Sequence, residues 1–209
     1  MAKVVKIAVT GSAGSGKTSV CDRFRTLGLK VISSDSLARE AVAPDTAAYE
    51  MIVDSFGKQI LRKDGRLNRQ MLRRMMITDD DTRKTLEQCI HPEIKRLMHL
   101  KMAEAEKERV SVVIIEVPLL FEFGMESRFD AIIVVTSDRE LQIKRLMNRD
   151  NVSRREAKAL LNVQIPDEEK IERAEFVVNN SGSPAEMIRS VDHIYKKICQ
   201  KFRKRIKTA

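Results

Sequence analysis

Of 209 residues, 43% are hydrophobic, enough apolar material for a packed core, which excludes a disordered polymer. With 4% aromatic residues and no Trp, the chain is poorly equipped to stack nucleic-acid bases on rings. Its 39 Lys and Arg against 30 Asp and Glu leave a net charge of +9, which suits nucleic acid, an anionic lipid surface or a phosphorylated small molecule.

In chain order, residues 4–10 form the first of five short, continuous apolar runs that read as buried strands. Gly11-Ser-Ala-Gly-Ser-Gly-Lys-Thr18 follows at once, and a helical pattern over 18–27 ends at Gly28, a residue suited to a C-terminal cap. The second strand is expected at 29–33, with Asp35 just past its end. Tyr49, Ile52, Val53 and Phe56 mark one face of a helix that stops at Gly57. Pro92 is expected as the first residue of a helix running toward Glu108. Strands at 110–117 and 131–136 come next, then a charged insertion, then a strand at 176–179. Ser153 with Glu156 and Ser183 with Glu186 fit the capping-box pattern. After the second box, Met187, Ile188, Val191, Ile194, Tyr195, Ile198 and Phe202 recur every three or four residues and predict a long amphipathic terminal helix.

That helix carries most of the excess charge. Lys196, Lys197, Lys201, Arg203, Lys204, Arg205 and Lys207 lie within residues 193–209 without an acid among them, so residues 1–192 hold 32 basic against 30 acidic side chains. A nearly neutral body argues against nucleic acid as the partner. Deletion of 200–209 is expected to leave the main activity mostly intact. Three cysteines, Cys21, Cys89 and Cys199, without a CxxC or Cys/His cluster, fit reduced thiols in a cytosolic setting. The first apolar run reaches Gly11 too soon for a signal peptide, and the longest apolar stretch, 110–125, is broken by Ser111, Glu116, Pro118 and Glu122. A soluble cytoplasmic protein, with no membrane partner, is the expectation.

Strands alternating with helices imply an α/β fold with a five-stranded parallel sheet. About 75 residues separate the second and third strands and about 40 the fourth and fifth, which reads as two helical insertions on one αβα core.

Residues 11–18 match G-x-x-x-x-G-K-S/T between a strand and a helix, the mark of a P-loop NTPase-type sandwich. Glycines at 11, 14 and 16 let the backbone N–H groups turn inward to phosphate oxygens, and Ser15 and Ser19 share that cradle. Lys17 is expected on the β- and γ-phosphates of ATP and the Thr18 hydroxyl on Mg²⁺. No N-K-x-D motif marks a GTPase, and Asp54-Ser-Phe-Gly57 matches D-x-x-G only where a helix ends. Glu116 closes a Walker B-like strand and reads either as a holder of magnesium-bound water or as a strand-end carboxylate without metal. Asp35 reads either as the base for an acceptor hydroxyl, since ligands sit at the carboxyl ends of such strands, or as the N-cap of a helix from Ser36. Arg139, Arg145, Arg149, Arg154 and Arg155 suit a lid over ATP, although i,i+4 charge pairs account for some of them. Arg145 and Arg149 share a face and are the stronger candidates.

From Ile7 to about Gly182 the sequence resembles the dephospho-CoA kinase family. The resemblance rests on Val31-Ile-Ser-Ser-Asp35 followed by Ala38-Arg39-Glu40, Phe56-Gly57 and Asp64-Gly-Arg-Leu-Asn-Arg69. Arg83, Leu86-Glu87, Ile90-His91-Pro92 and Val117-Pro-Leu-Leu-Phe-Glu122 continue it, as do Gln142-x-x-Arg-Leu146 with Arg149 and Val178-Asn-Asn-Ser-Gly182. It implies transfer of the ATP γ-phosphate to the ribose 3′-hydroxyl of dephospho-CoA, with Asp35 as base and Lys17 and Arg145 in catalysis. It further implies a nucleotide-binding core at 1–36, 101–139 and 165–209, a helical insertion at 37–100 for the CoA moiety, and a lid at 140–164. Arg83, His91, Pro118 and Leu119 would contact the substrate, and Arg149, Asn179 and Asn180 the ATP. Many members carry an acid where Ser33 stands and Asp where Glu116 stands. The alternatives are a nucleoside or nucleoside-monophosphate kinase and a non-enzymatic basic nucleic-acid-binding protein.

Overall fold

The computed structural model describes residues 4–108 and 110–206, leaving out the side chains of Ser34, Asp35, Arg73, Ile77, Thr78 and Lys204. In chain order the elements are β1 (Val5–Thr10), α1 (Lys17–Thr26), β2 (Lys30–Ile32), α2 (Ser34–Ala41), α3 (Ala47–Phe56), α4 (Arg69–Thr78) and α5 (Asp80–Lys107). β3 (Val112–Glu116), β4 (Ala131–Thr136), α6 (Arg139–Asp150), α7 (Arg154–Asn162), α8 (Asp167–Glu172), β5 (Phe176–Asn179), α9 (Pro184–Lys201) and α10 (Arg203–Ile206) follow. Two units share the chain, one of Met1–Ser33 with Glu104–Ala209, the other of Ser34–Ala103. Among the described residues no helix is long and apolar enough to cross a membrane.

The first unit is built on a sheet of order β2-β3-β1-β4-β5 in which every pairing is parallel. The five apolar runs become these five strands because both faces are covered: every residue of β3, and all of β1 except Lys6, is buried. Alternate residues Val5, Ile7, Val9, Val112, Ile114, Ile133 and Val135 form one core with Val20, Cys21 and Phe24 of α1 and Met187, Val191, Ile194 and Ile198 of α9. Fully burying a side chain such as Phe24 contributes about 1.5–3 kcal/mol. Arg23 of α1 grips Asp192 of α9 through two hydrogen bonds of 2.7 and 2.8 Å. The expected stop at Gly28 is a Schellman turn: Leu29 N donates to Phe24 O at 3.2 Å and Gly28 N to Arg25 O at 3.0 Å. Both expected capping boxes form, at Ser153–Glu156 and Ser183–Glu186, the second with Pro184 opening α9.

The second unit is helical, with a core that includes Ile52, Ile60, Leu67, Leu72, Leu86 and Leu97. Thr46 caps α3 by accepting from Tyr49 N, and Gly57 ends it, so the D-x-x-G match is a helix stop. Two sequence expectations need correction. Pro92 does not open a helix but lies inside α5. It removes the N–H that would bond the carbonyl of Gln88, yet buried Leu86 and Cys89 before it and Leu97 and Met98 after it keep both halves of the helix packed. α2 begins at Ser34, so Asp35 is inside the helix and is not the N-cap of one starting at Ser36.

Candidate active site

The register that sets Val9 opposite Glu116 brings the end of β3 beside the loop leaving β1. Gly16 is the N-cap of α1 at φ 92°, makes no side-chain cap hydrogen bond, and is followed by a first turn free of acids. The first N–H groups of α1 are therefore left for an outside acceptor, and the helix dipole favours an anion there. Only glycine suits position 16, where a Cβ would run into the Asn180 side-chain amide. At position 14 a Cβ would stand 2.7 Å from the Gln142 carbonyl.

The outer side of this loop is clamped by side chains from later in the chain. Arg145 Nη1 donates to the carbonyls of Gly14 (3.1 Å) and Ser15 (3.3 Å), and its Nη2 to that of Asn180 (3.1 Å). Asn180, buried, donates from Nδ2 to Ser15 O at 2.9 Å. Arg145 and Asn180, expected on the nucleotide, thus hold the loop that would hold it. Arg149 bonds the Asp150 carboxylate at 2.9 and 2.8 Å, and exposed Asn179 accepts from Ser181 N. Half-buried Pro118 offers its carbonyl to the Thr10 hydroxyl at 3.5 Å, with half-buried Leu119 beside it, and Ser19 is exposed on α1.

Lys17 donates from Nζ to the carbonyls of Gly11 (2.8 Å) and Ser12 (3.0 Å). Burial draws its pKa down to about 8; the Glu116 carboxylate opposes that shift, while Lys170 and Arg149 add to it. Glu116 is buried, and each of its oxygens takes a hydroxyl: Thr18 Oγ1 donates to Oε1 at 3.4 Å and Ser33 Oγ to Oε2 at 3.0 Å. Ser33 is thus a hydrogen-bond donor to the strand-end carboxylate.

A second set of polar residues on the loop was missed by sequence reasoning. Gln164 Oε1 accepts from Ala13 N at 2.9 Å, Ser12 Oγ donates to Asp167, and Lys170 Nζ donates to Ser12 Oγ at 3.0 Å. Asp167 also accepts from Gln142 at 3.0 Å, and Lys170 faces Glu122 at 3.4 Å. The local pattern around Asp167-Glu-Glu-Lys170 reads as a solvated charged turn, so it held no signal for these contacts.

In the helical unit, Arg83 pairs with Asp80 at 3.1 Å on α5. His91 is half-buried there, and burial lowers its pKa below the ordinary value, opposed by Glu87 and reinforced by Lys95. The side chain of Asp35, the expected base, lies outside the described residues.

Comparison with known proteins gives a coherent result. The profile of the family described as dephospho-CoA kinase (CoaE) matches residues 5–186. The dephospho-CoA kinase of Geobacter sulfurreducens is 42% identical over 191 residues, covering 91% of this chain and 97% of that one. Among solved structures, TT1252 from Thermus thermophilus superposes with a TM-score of 0.73 at 32% identity, covering 93% of this chain and 97% of that chain. The dephospho-CoA kinase of Campylobacter jejuni superposes with a TM-score of 0.68 at 30% identity, over 94% of this chain and 98% of that chain.

Proposed function

The chain belongs to the dephospho-CoA kinase family, and from that premise we propose how its residues carry out the family's reaction. ATP gives its γ-phosphate to the 3′-hydroxyl of the ribose of dephospho-CoA, and coenzyme A and ADP leave. The observation that carries this reading is a family match whose span, residues 5–186, takes in the phosphate-binding loop, Glu116 and Arg145 together.

The loop N–H groups and the start of α1 bind the phosphates. Lys17 exchanges its bonds to the Gly11 and Ser12 carbonyls for the β- and γ-oxygens, and the triphosphate's charge keeps its ammonium protonated. Arg145, with Asn180, keeps the loop in its curled form, and Gly11, Gly14, Ser15, Gly16 and Ser19 complete the cradle. Thr18 and Glu116, supported by Ser33, fit Mg²⁺: the donors are oxygens only, one of them a buried carboxylate. Such an ion neutralises charge on the phosphoryl oxygens when bound.

Asp35 takes the proton of the 3′-hydroxyl. Its position three residues after β2, at the carboxyl end of a parallel strand, supports that role. Residues 37–100 receive the CoA moiety through Arg83 and His91, with Pro118 and Leu119 as further contacts. Residues 140–164 act as the lid, where Arg149 serves the nucleotide and water is kept out. Exposed Asn179 attends the adenine. Buried Cys21 and Cys89, free as thiols, fit work in the reducing cytoplasm.

The test is turnover by the purified protein with ATP and Mg²⁺, comparing dephospho-CoA with AMP and adenosine. Dephospho-CoA is expected to be phosphorylated far faster; equal or better turnover of AMP or adenosine would overturn the assignment. Asp35→Asn is expected to bind ATP normally and to lose transfer by about 10²–10⁴-fold. Near-normal turnover would remove Asp35 from the role of base.

A further inference from the structure

A lysine without exposed surface needs a reason, since ammonium groups are rarely buried unless paired. Lys170 on α8 is such a residue, at 0% exposure. Its ammonium donates to Ser12 Oγ at 3.0 Å and faces Glu122 Oε1 at 3.4 Å. Ser12 Oγ passes its own proton toward Asp167, so the hydroxyl both accepts and donates, and its direction is fixed. The backbone carbonyl of the same Ser12 receives Lys17 Nζ at 3.0 Å. One loop residue is therefore held from behind by Lys170 and offers its front to Lys17. The next residue, Ala13, has its N–H taken by Gln164, and Glu122 also accepts from Ile165 N at 3.3 Å.

Charge alone does not explain this lysine. The Glu122 carboxylate faces its ammonium, so the pair as a whole carries no net positive charge toward a triphosphate. An apolar side chain of similar length would fill the space without desolvating an ion. What such a side chain lacks is a directed donor for the Ser12 hydroxyl. We propose that Lys170 is a positioning residue for phosphoryl transfer, acting through the Ser12 hydroxyl to fix the loop segment from which Lys17 reaches the phosphates. The inference rests on the kinase reading above and deepens it.

Four variants test it, with kcat, KM for dephospho-CoA and calorimetric ADP affinity as readouts. Lys170→Met combined with Glu122→Gln, which leaves no unpaired lysine partner at 122, is expected to lower kcat on the order of 100-fold, the scale of an ångström-sized misplacement. Its KM for dephospho-CoA is expected to stay within about twofold, since the loop holds phosphate and not the acceptor. Lys170→Arg keeps a donor and is expected to recover most of the rate. Ser12→Ala is expected to reproduce the loss, and adding Lys170→Met/Glu122→Gln to it to cost little more, the mark of residues acting as one unit. A folded Lys170→Met/Glu122→Gln protein within about threefold of wild-type kcat would overturn the proposal, as would losses that multiply when Ser12→Ala is combined with it. Should removal of the lysine prevent folding, wild-type kcat in Ser12→Ala overturns it just as well. Wild-type protein that binds no ADP would overturn this inference and the kinase reading together, whereas an unaffected Ser12→Ala overturns this one alone.

Discussion

Single side chains in this protein take their behaviour from what surrounds them. Partial desolvation of the Lys17 ammonium lowers its pKa to about 8, and at neutral pH it remains mostly the cation a phosphate requires. His91 responds to burial in the same direction, with Glu87 opposing and Lys95 assisting. Above about pH 6.5, the ordinary value for His, folded and unfolded chains both hold it neutral. As pH falls through that value the unfolded chain takes up the proton first, so the folded state loses stability until the folded imidazole titrates too. Between about pH 7 and 5 the melting midpoint of wild type is therefore expected to fall more steeply than that of His91→Gln; parallel curves by circular dichroism would show that His91 does not contribute. Lys17, Thr18 and Glu116 were legible in the sequence because the loop motif is contiguous and Glu116 ends an apolar run. Lys170 and Gln164 were not, because they meet Ser12 and Ala13 across 158 and 151 residues. Arg145 was singled out too, but its bonds to the loop were not legible, since nothing local to α6 says that a guanidinium will bond backbone carbonyls of a loop 130 residues away.

At the scale of elements, all five strands were legible because burial on both faces writes them as unbroken Val- and Ile-rich runs. Capping boxes marked two helix starts for an equally local reason. The helical unit was harder: α2 and α4 have no long apolar period, and Pro92 suggested a boundary that packing overrides. The C-terminal segment, which carries most of the excess charge, is also anchored to the first unit. Phe202 and Ile206 pack against the sheet core, Lys201 pairs with Glu175, and Arg205 bonds Asp130 and the Val4 carbonyl. A chain ending at Gln200 is therefore expected to lose about 2–3 kcal/mol, from two partly buried side chains and their anchoring pairs. That corresponds to a thermal midpoint lower by roughly 5–10 °C. The molecules still folded should turn over normally, and an unchanged midpoint would show that the segment adds nothing to stability.

For the whole molecule, the net charge of +9 describes a near-neutral body with a basic end, part of which is already paired with acids of the core. Affinity for RNA at about 0.15 M salt is accordingly expected to be weaker than about 1 μM and to fall further with added salt. A tighter affinity that survives removal of 200–209 would show a binding surface on the body. The sheet order carries a different consequence, for synthesis on the ribosome. β1 is made first, yet it is the middle strand, and its neighbours are residues 112–116 on one side and 131–134 on the other. At about 5–20 residues per second, the strand that launches the phosphate-binding loop waits roughly 5–20 s for its first partner. The contiguous segment Ser34–Ala103 emerges entirely within that interval, free to form its own core while the apolar β1 stands unpaired. The nascent chain is thus expected to depend on a chaperone that shields a short Val- and Ile-rich strand until its central place in the sheet is ready.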